Sequence, residues 1–293
     1  MPQLKRIIEI QSKPVSASAT ISWDIPAYGT LDEIFLEFTN NGAPATAANI
    51  VSSMDRLLFS VNGETVHACK ISQLYDVYRM AGNNVNQYAT GQNVLPLNVG
   101  RYLFENKALR DNFSFGNDGI NSISLQIFCS GTITGVTDIN VTGVRRMIDT
   151  KYQGSFIKLV NYPQSFASTG PYDCDTLPKN SNDAVCNVIM DAGGGTISGA
   201  EAIANGQNIV DPVSTEVLNA ITSARNMAPL TGAVILPICD GQGRSVMPLQ
   251  GITEFRIRPT FSVAPTSGVF DMLLVSVRNT PAAMTAAALS NNL

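Results

Sequence analysis

Apolar and polar residues alternate along much of this chain with the two-residue period of a β-strand. From Leu31 to Thr39, Ile34, Leu36 and Phe38 share one face. Leu57, Phe59 and Val61 repeat the pattern. Asn62-Gly63 then supplies a hairpin turn that tolerates positive φ, and Thr65 to Cys69 returns. Further on, Glu254, Arg256 and Arg258 point one way while Phe255 and Ile257 point the other, which predicts a half-solvated strand. Val269 to Val277 is apolar on both faces and predicts a strand buried between layers.

Two segments change period and read as helices. Asp211 is a candidate N-cap with Pro212 in the first helical position, where its missing N–H costs nothing. Val213, Val217, Ile221 and Ala224 then fall on one face, and Pro229 closes the helix. In the first half, Ser72 is placed to cap a helix carrying Leu74, Tyr78 and Ala81, with Gly82 weakening or ending it. Each helix lies between a strand pair and a Leu-Pro strand. That is an insertion in a β domain, not a series of βαβ crossovers.

The chain repeats its plan. Leu58 to Gly63 is echoed by Val188 to Gly193, and the helix at Ser72 by the one at Asp211. Val94-Leu95-Pro96 is echoed by Ile235-Leu236-Pro237, and Leu125 by Phe255. A repeat of this length predicts duplicated domains. The expected fold class is all-β, with two tandem sandwiches at residues 1–148 and 149–293, divided near Arg145-Arg146-Met147-Ile148-Asp149, each holding a short inserted helix. The second ends in an alanine-rich segment, 281–289, read as a tail.

Composition narrows the function. Of 293 residues only 14% are charged, a low share for a surface facing water and a fitting one for a surface hidden against neighbours. The formal charge of −4 gives no basic field to recruit nucleic acid. No apolar run approaches the ~20 residues that cross a bilayer, and Met1 to Arg6 does not read as a signal peptide. The five cysteines, 69, 129, 174, 186 and 239, have no zinc or redox spacing and predict free thiols, with a Cys174–Cys186 loop bridge as the alternative.

Catalytic chemistry is hard to assemble. His67 is the single histidine; on an alternating strand it reads as a surface or interface group, and alone it defeats a multi-histidine metal centre and, without a Gly-x-Ser-x-Gly elbow, a serine triad. Gly193-Gly194-Gly195-Thr196 lacks the lysine of a phosphate loop and reads as a flexible turn. Asp173-Cys174-Asp175 offers two carboxylates for calcium without the remaining oxygen ligands. No catalytic residue, metal or cofactor is expected.

The chain resembles the double jelly-roll major capsid proteins of lipid-containing bacterial viruses, in particular the corticovirus-type coat protein. The resemblance rests on the turn and strand from Ile25-Pro26-Ala27-Tyr28-Gly29 to Ile34, and on the hairpin from Leu58 to Val66 leading into the helix at Ser72. In the second half it rests on Ala233 to Ile238, Ile252 to Thr260 and Val269 to Arg278. It is one of strand order and turn placement over nearly the whole chain. It implies a homotrimer that forms pseudo-hexagonal blocks of an icosahedral virion shell, made in the host cytoplasm. Implied partners are further copies, penton, vertex and minor capsid proteins, and an internal lipid membrane, with no sequence-specific nucleic acid. Tyr152, Tyr162, Phe166 and Tyr172, in a loop-rich stretch, are candidate interface anchors, with local packing beneath the loop as the alternative. Lys5 and Arg6 are candidate contacts to lipid head groups or a neighbouring subunit on the inner face. Two other readings compete: a viral spike or receptor-binding β-sandwich, and a carbohydrate-active enzyme. The second would need aromatic platforms that a chain with Trp23 as its single tryptophan does not favour.

Overall fold

The computed structural model describes residues 5–81, 93–97, 115–116, 120–147, 155–238 and 246–278. Within these the chain is dominated by strands. In order they are β1 (Lys5–Pro14), β2 (Thr20–Ile25), β3 (Thr30–Asn40), β4 (Ala43–Pro44), α1 (Ala47–Ser53), β5 (Met54–Val61), β6 (Glu64–Lys70), α2 (Ile71–Met80), β7 (Val94–Pro96), β8 (Ile123–Cys129) and β9 (Asp138–Arg146). There follow β10 (Phe156–Ser165), β11 (Gly170–Pro171), β12 (Asp183–Asp191), β13 (Thr196–Ala204), β14 (Gln207–Ser214), α3 (Thr215–Ala224), β15 (Ala233–Pro237), β16 (Met247–Pro248), β17 (Phe255–Val263) and β18 (Val269–Arg278). Two compact units result. Leu159–Arg278, with Met80 and Ala81, belongs to the second, and the other described residues belong to the first. The expected boundary at 148/149 lies outside the described residues.

In the first unit one sheet runs β1-β9-β3, with β4 and β7 both paired to β3, and the other runs β6-β5-β8-β2. Alternation sends Ile34, Leu36 and Phe38 of β3 and Ile139 and Val141 of β9 to one core face. Leu57, Phe59, Leu125 and Ile127 come from the other sheet, and all are fully buried. Trp23, 2% exposed, closes this core and donates its indole N–H to the Gln11 carbonyl at 3.1 Å.

The second unit repeats the order. One sheet runs β10-β18-β12-β15 and the other β11-β17-β13-β14. Val188, Met190, Met272 and Leu274 face Ile197, Ala202, Phe255, Ile257 and Phe261 across one core. Strand by strand, β1, β2, β3, β5, β6, β7, β8 and β9 correspond to β10, β11, β12, β13, β14, β15, β17 and β18, and α2 corresponds to α3. Each unit is therefore a two-sheet jelly roll of the same winding.

This topology corrects one of the echoes. Leu58 to Gly63 belongs to β5 and its turn, whose counterpart is β13 and Asn205-Gly206. Val188 to Gly193 belongs to β12, the counterpart of β3. The turns make the true match: Asn62 and Gly63 have φ of 51° and 76°, Asn205 and Gly206 of 49° and 74°. The helix, Leu-Pro and Leu125–Phe255 echoes join corresponding elements. The mispairing arose because one short apolar run before a glycine looks like any other.

Local structure departs from expectation in four places. Residues 5–14 are a strand; a bulge at Ile10 between Glu9 and Gln11 breaks the alternation that would have revealed it. α1 adds a second helix to the first roll, capped by Thr46, whose hydroxyl accepts from the Asn49 N–H at 3.3 Å. Asp211 and Pro212 lie in β14, an edge strand that tolerates proline, and the α3 cap is Ser214, accepting from the Val217 N–H. The buried side of α3 holds Leu218 and Thr222, while Val217 is 45% exposed. Finally, the Gly193-Gly194-Gly195 turn is clamped, not loose. A Cβ on Gly193 would lie 2.1 Å from the Val269 carbonyl oxygen, and one on Gly195 2.6 Å from that of Val263.

Candidate assembly surfaces

His67 is 1% exposed. Its Nδ1 lies 3.0 Å from the Val66 carbonyl and its Nε2 2.8 Å from that of Leu97. Burial pushes its pKa down to about 4, against the smaller upward pull of the two carbonyls. A neutral ring held inside a roll ties Leu97, just past β7, to β6; no solvent or substrate reaches it. Cys69, Cys129, Cys174 and Cys186 are buried, Cys174 as a thiol outside any disulfide, and burial pushes the Cys69 and Cys174 thiols up to about 12. They are packing groups, and the Cys174–Cys186 bridge is not formed. Cys239 lies outside the described residues.

The carboxylate considered for calcium is engaged elsewhere. Asp173 accepts from Arg258 at 2.6 Å and lies 3.6 Å from Arg256, and Arg258 also reaches Glu201 at 2.6 Å. The hydrogen bond from Arg258 is the main reason the Asp173 pKa is lowered. The result is a lattice of paired charges on the solvent face of β17, the face that carries Arg256 and Arg258, while Phe255 and Ile257 enter the core.

The candidate interface aromatics divide. Tyr152 lies outside the described residues. Tyr162, Phe166 and Tyr172 are partly buried and pack on the second core. Phe166 sits 4.9 Å from Tyr172 and 5.3 Å from Phe261, and Tyr172 meets Phe270 edge-on at 5.5 Å. Burial pushes the Tyr162 hydroxyl up to about 12. Their rings are therefore first of all part of their own roll.

Lys5 and Arg6 open β1, in register with Arg146 and Arg145 of β9, and Arg6 is exposed. The two arginines on β9, read in the sequence only as a domain edge, have structural roles. Arg146 pairs with Asp32 at 2.8 Å, both nearly fully buried. Arg145, 1% exposed, donates to the carbonyls of Tyr28 and Pro26 and lies under the Tyr28 ring at 4.5 Å. It pins the Pro26-Ala27-Tyr28-Gly29 turn. A pair of adjacent arginines closing an alternating strand is the signal that could have flagged it.

Asp32, Asp173, Glu201, Arg146 and Arg258 are engaged in ion pairs, and the described thiols and the histidine are sealed. Residues 156–277 match the family model described as the viral coat protein P2 C-terminal domain. That match spans the second roll, from β10 to β18. No curated protein matches the chain's sequence. Among solved structures, the chain is similar to the major capsid protein P2 of bacteriophage PM2, with a TM-score of 0.77 at 11% identity, over 94% of this chain and 98% of that one. A structure of Sulfolobus turreted icosahedral virus matches with a TM-score of 0.70 at 14% identity, over 97% and 93%. A PBCV-1 virus capsid structure matches at 0.64 and 10% identity, over 97% and 96%. At such identities the common property is the double jelly-roll fold.

Proposed function

We propose that this protein is a viral coat protein, the major subunit of an icosahedral shell. Three copies associate into a pseudo-hexagonal block, and the blocks tile the surface. The observation that carries this is the duplication itself. Two rolls of identical strand order in one chain let a threefold axis generate six similar units, the geometry a hexagonal lattice needs. The likeness to the PM2 major capsid protein supports it.

Tyr162, Phe166 and Tyr172, half-buried at their outer edges, are proposed as seam contacts, and Tyr152 is carried with them. Lys5 and Arg6 are proposed as inner-face contacts to lipid phosphates. Two cations contribute only about 2 kcal/mol at an anionic surface, so the contact acts through many copies. Vertex and minor capsid proteins are the further proposed partners. The test is sedimentation of the purified coat protein together with electron microscopy of the source particle. A trimer and a lattice of hexagonal blocks are expected. A stable monomer at high concentration and particles without such a lattice would overturn the proposal.

A further inference from the structure

The sequence holds three Asn-Gly pairs, Asn41-Gly42, Asn62-Gly63 and Asn205-Gly206. Each is the two-residue connection of a hairpin, β3–β4, β5–β6 and β13–β14 in turn. Their backbones are nearly the same. φ is 50° and 81° in the first, 51° and 76° in the second and 49° and 74° in the third, positive at both positions as a type I′ turn requires. The asparagines and glycines are all exposed, and no other group lies within 4 Å of where a Cβ on any of these glycines would stand. What separates the turns is the asparagine side chain.

In the first roll the Asn62 side-chain oxygen accepts from the Asn121 N–H at 2.7 Å and the Ser122 N–H at 3.2 Å, just before β8. In the second the Asn205 oxygen accepts from the Thr253 N–H at 2.8 Å, the Thr253 hydroxyl at 3.0 Å and the Glu254 N–H at 3.1 Å, just before β17. The main chain adds to each lock: the Asn62 N–H donates to the Ser122 carbonyl at 2.8 Å and the Asn205 N–H to the Glu254 carbonyl at 2.9 Å. β8 and β17 are counterparts, so both rolls hold the same turn in the same way. Asn41 has no such lock. Its N–H donates to the Thr137 hydroxyl at 2.8 Å, and its side-chain nitrogen lies 3.4 Å from the Asn40 side-chain oxygen. Among the described residues nothing donates to the Asn41 side-chain oxygen.

We propose that Asn41 is a site of covalent modification, deamidation through a cyclic imide. The Gly42 main-chain nitrogen loses its proton to water and attacks the Asn41 Cγ. A bond forms between that nitrogen and Cγ, the Cγ–Nδ2 bond breaks, and Nδ2 takes up a proton and leaves as ammonia. Water then adds to either imide carbonyl and opens the ring to an aspartyl or an isoaspartyl residue. One water is consumed, one ammonia is released, and nothing is oxidised or reduced. Ring closure needs Cγ to swing onto the following nitrogen, which a glycine leaves unobstructed. At Asn62 and Asn205 that swing strips two or three donors from the side-chain oxygen, and losing two such bonds slows closure by at least ~10-fold. At Asn41 it breaks only the long contact to Asn40. Both products add a negative charge to a chain whose formal charge is −4. The isoaspartyl product also lengthens the main chain of a two-residue turn by one carbon. The pairing of Thr39 with Pro44 and Asn40 with Ala43 cannot absorb that, so β4 is released from β3. This chemistry needs only the hairpins as they stand and does not rest on the coat function.

The test holds the folded wild-type protein at mildly alkaline pH, samples it over time and follows the three asparagines by peptide mass mapping. A parallel sample is unfolded in denaturant. In the folded protein Asn41 is expected to convert at least ~10-fold faster than Asn62 or Asn205. In denaturant, where the locks are gone, the three rates are expected to converge. All three are read from one chain, so the comparison needs no variant to fold. Acidic species that accumulate on ion exchange are expected in wild type and not in Asn41→Gln. Equal rates at the three turns of the folded protein, or a ratio that persists in denaturant, would overturn the proposal and leave the coat function standing.

Discussion

His67 shows how one buried residue sets a response for a whole domain. Its pKa is about 4 in the fold against about 6.5 in an unfolded chain. Above pH 6.5 both states are neutral and no stability is lost. As pH falls from 6.5 toward 4 the unfolded chain gains a proton that the fold refuses, so stability drops, by up to about 3 kcal/mol, and levels off below pH 4. Urea unfolding across this range is expected to show that slope in wild type and its loss in His67→Gln, whose neutral-pH stability is itself lower. Asp32 tests the opposite case. Asp32→Ala leaves the Arg146 guanidinium buried without its carboxylate and is expected to cost about 3–5 kcal/mol in denaturant unfolding. Both residues were visible in the sequence, but not their roles: His67 read as a surface or interface group, and Arg146 as a domain edge.

At the scale of elements, caps and turns decide where each strand and helix stops. Ser214 accepts from the first turn of α3, so Ser214→Ala is expected to lower stability by about 1 kcal/mol, while Asp211→Ala, in an exposed edge strand, is expected to change it little. Thermal melts of the two variants separate the observed cap from the one the sequence pointed to. The β12–β13 turn gives a larger effect. At Gly193, φ is 58° and the Val269 carbonyl occupies the space of a side chain. Gly193→Ala is expected to destabilise by at least about 2 kcal/mol, whereas Gly206→Ala, with open space around it, should cost about 1 kcal/mol through its positive φ alone. Strands such as β3, β5 and β17 were legible because one face meets the core and the other meets polar surroundings. β12 and β18, buried on both faces, show only that they are apolar.

For the whole molecule, the pairings that define each roll join distant parts of the chain. Lys5 pairs with Arg146, and Asp183 with Arg278. Such topology folds slowly, so stopped-flow refolding is expected to be complete only in seconds or longer, not in milliseconds.

Period and punctuation along the sequence were enough to establish an all-β chain and a duplicated plan with a helix at a matching point. These are local properties, set by which residues alternate and where glycine, proline and asparagine interrupt. Tertiary structure alone decided the pairing of β5 with β13 in the repeat, the strand at 5–14, the clamp on the triple-glycine turn and the burial of His67 and Arg145. Each depends on what lies across the sheet or against the turn. Those neighbours are tens to more than a hundred residues away in sequence, beyond the reach of any local pattern.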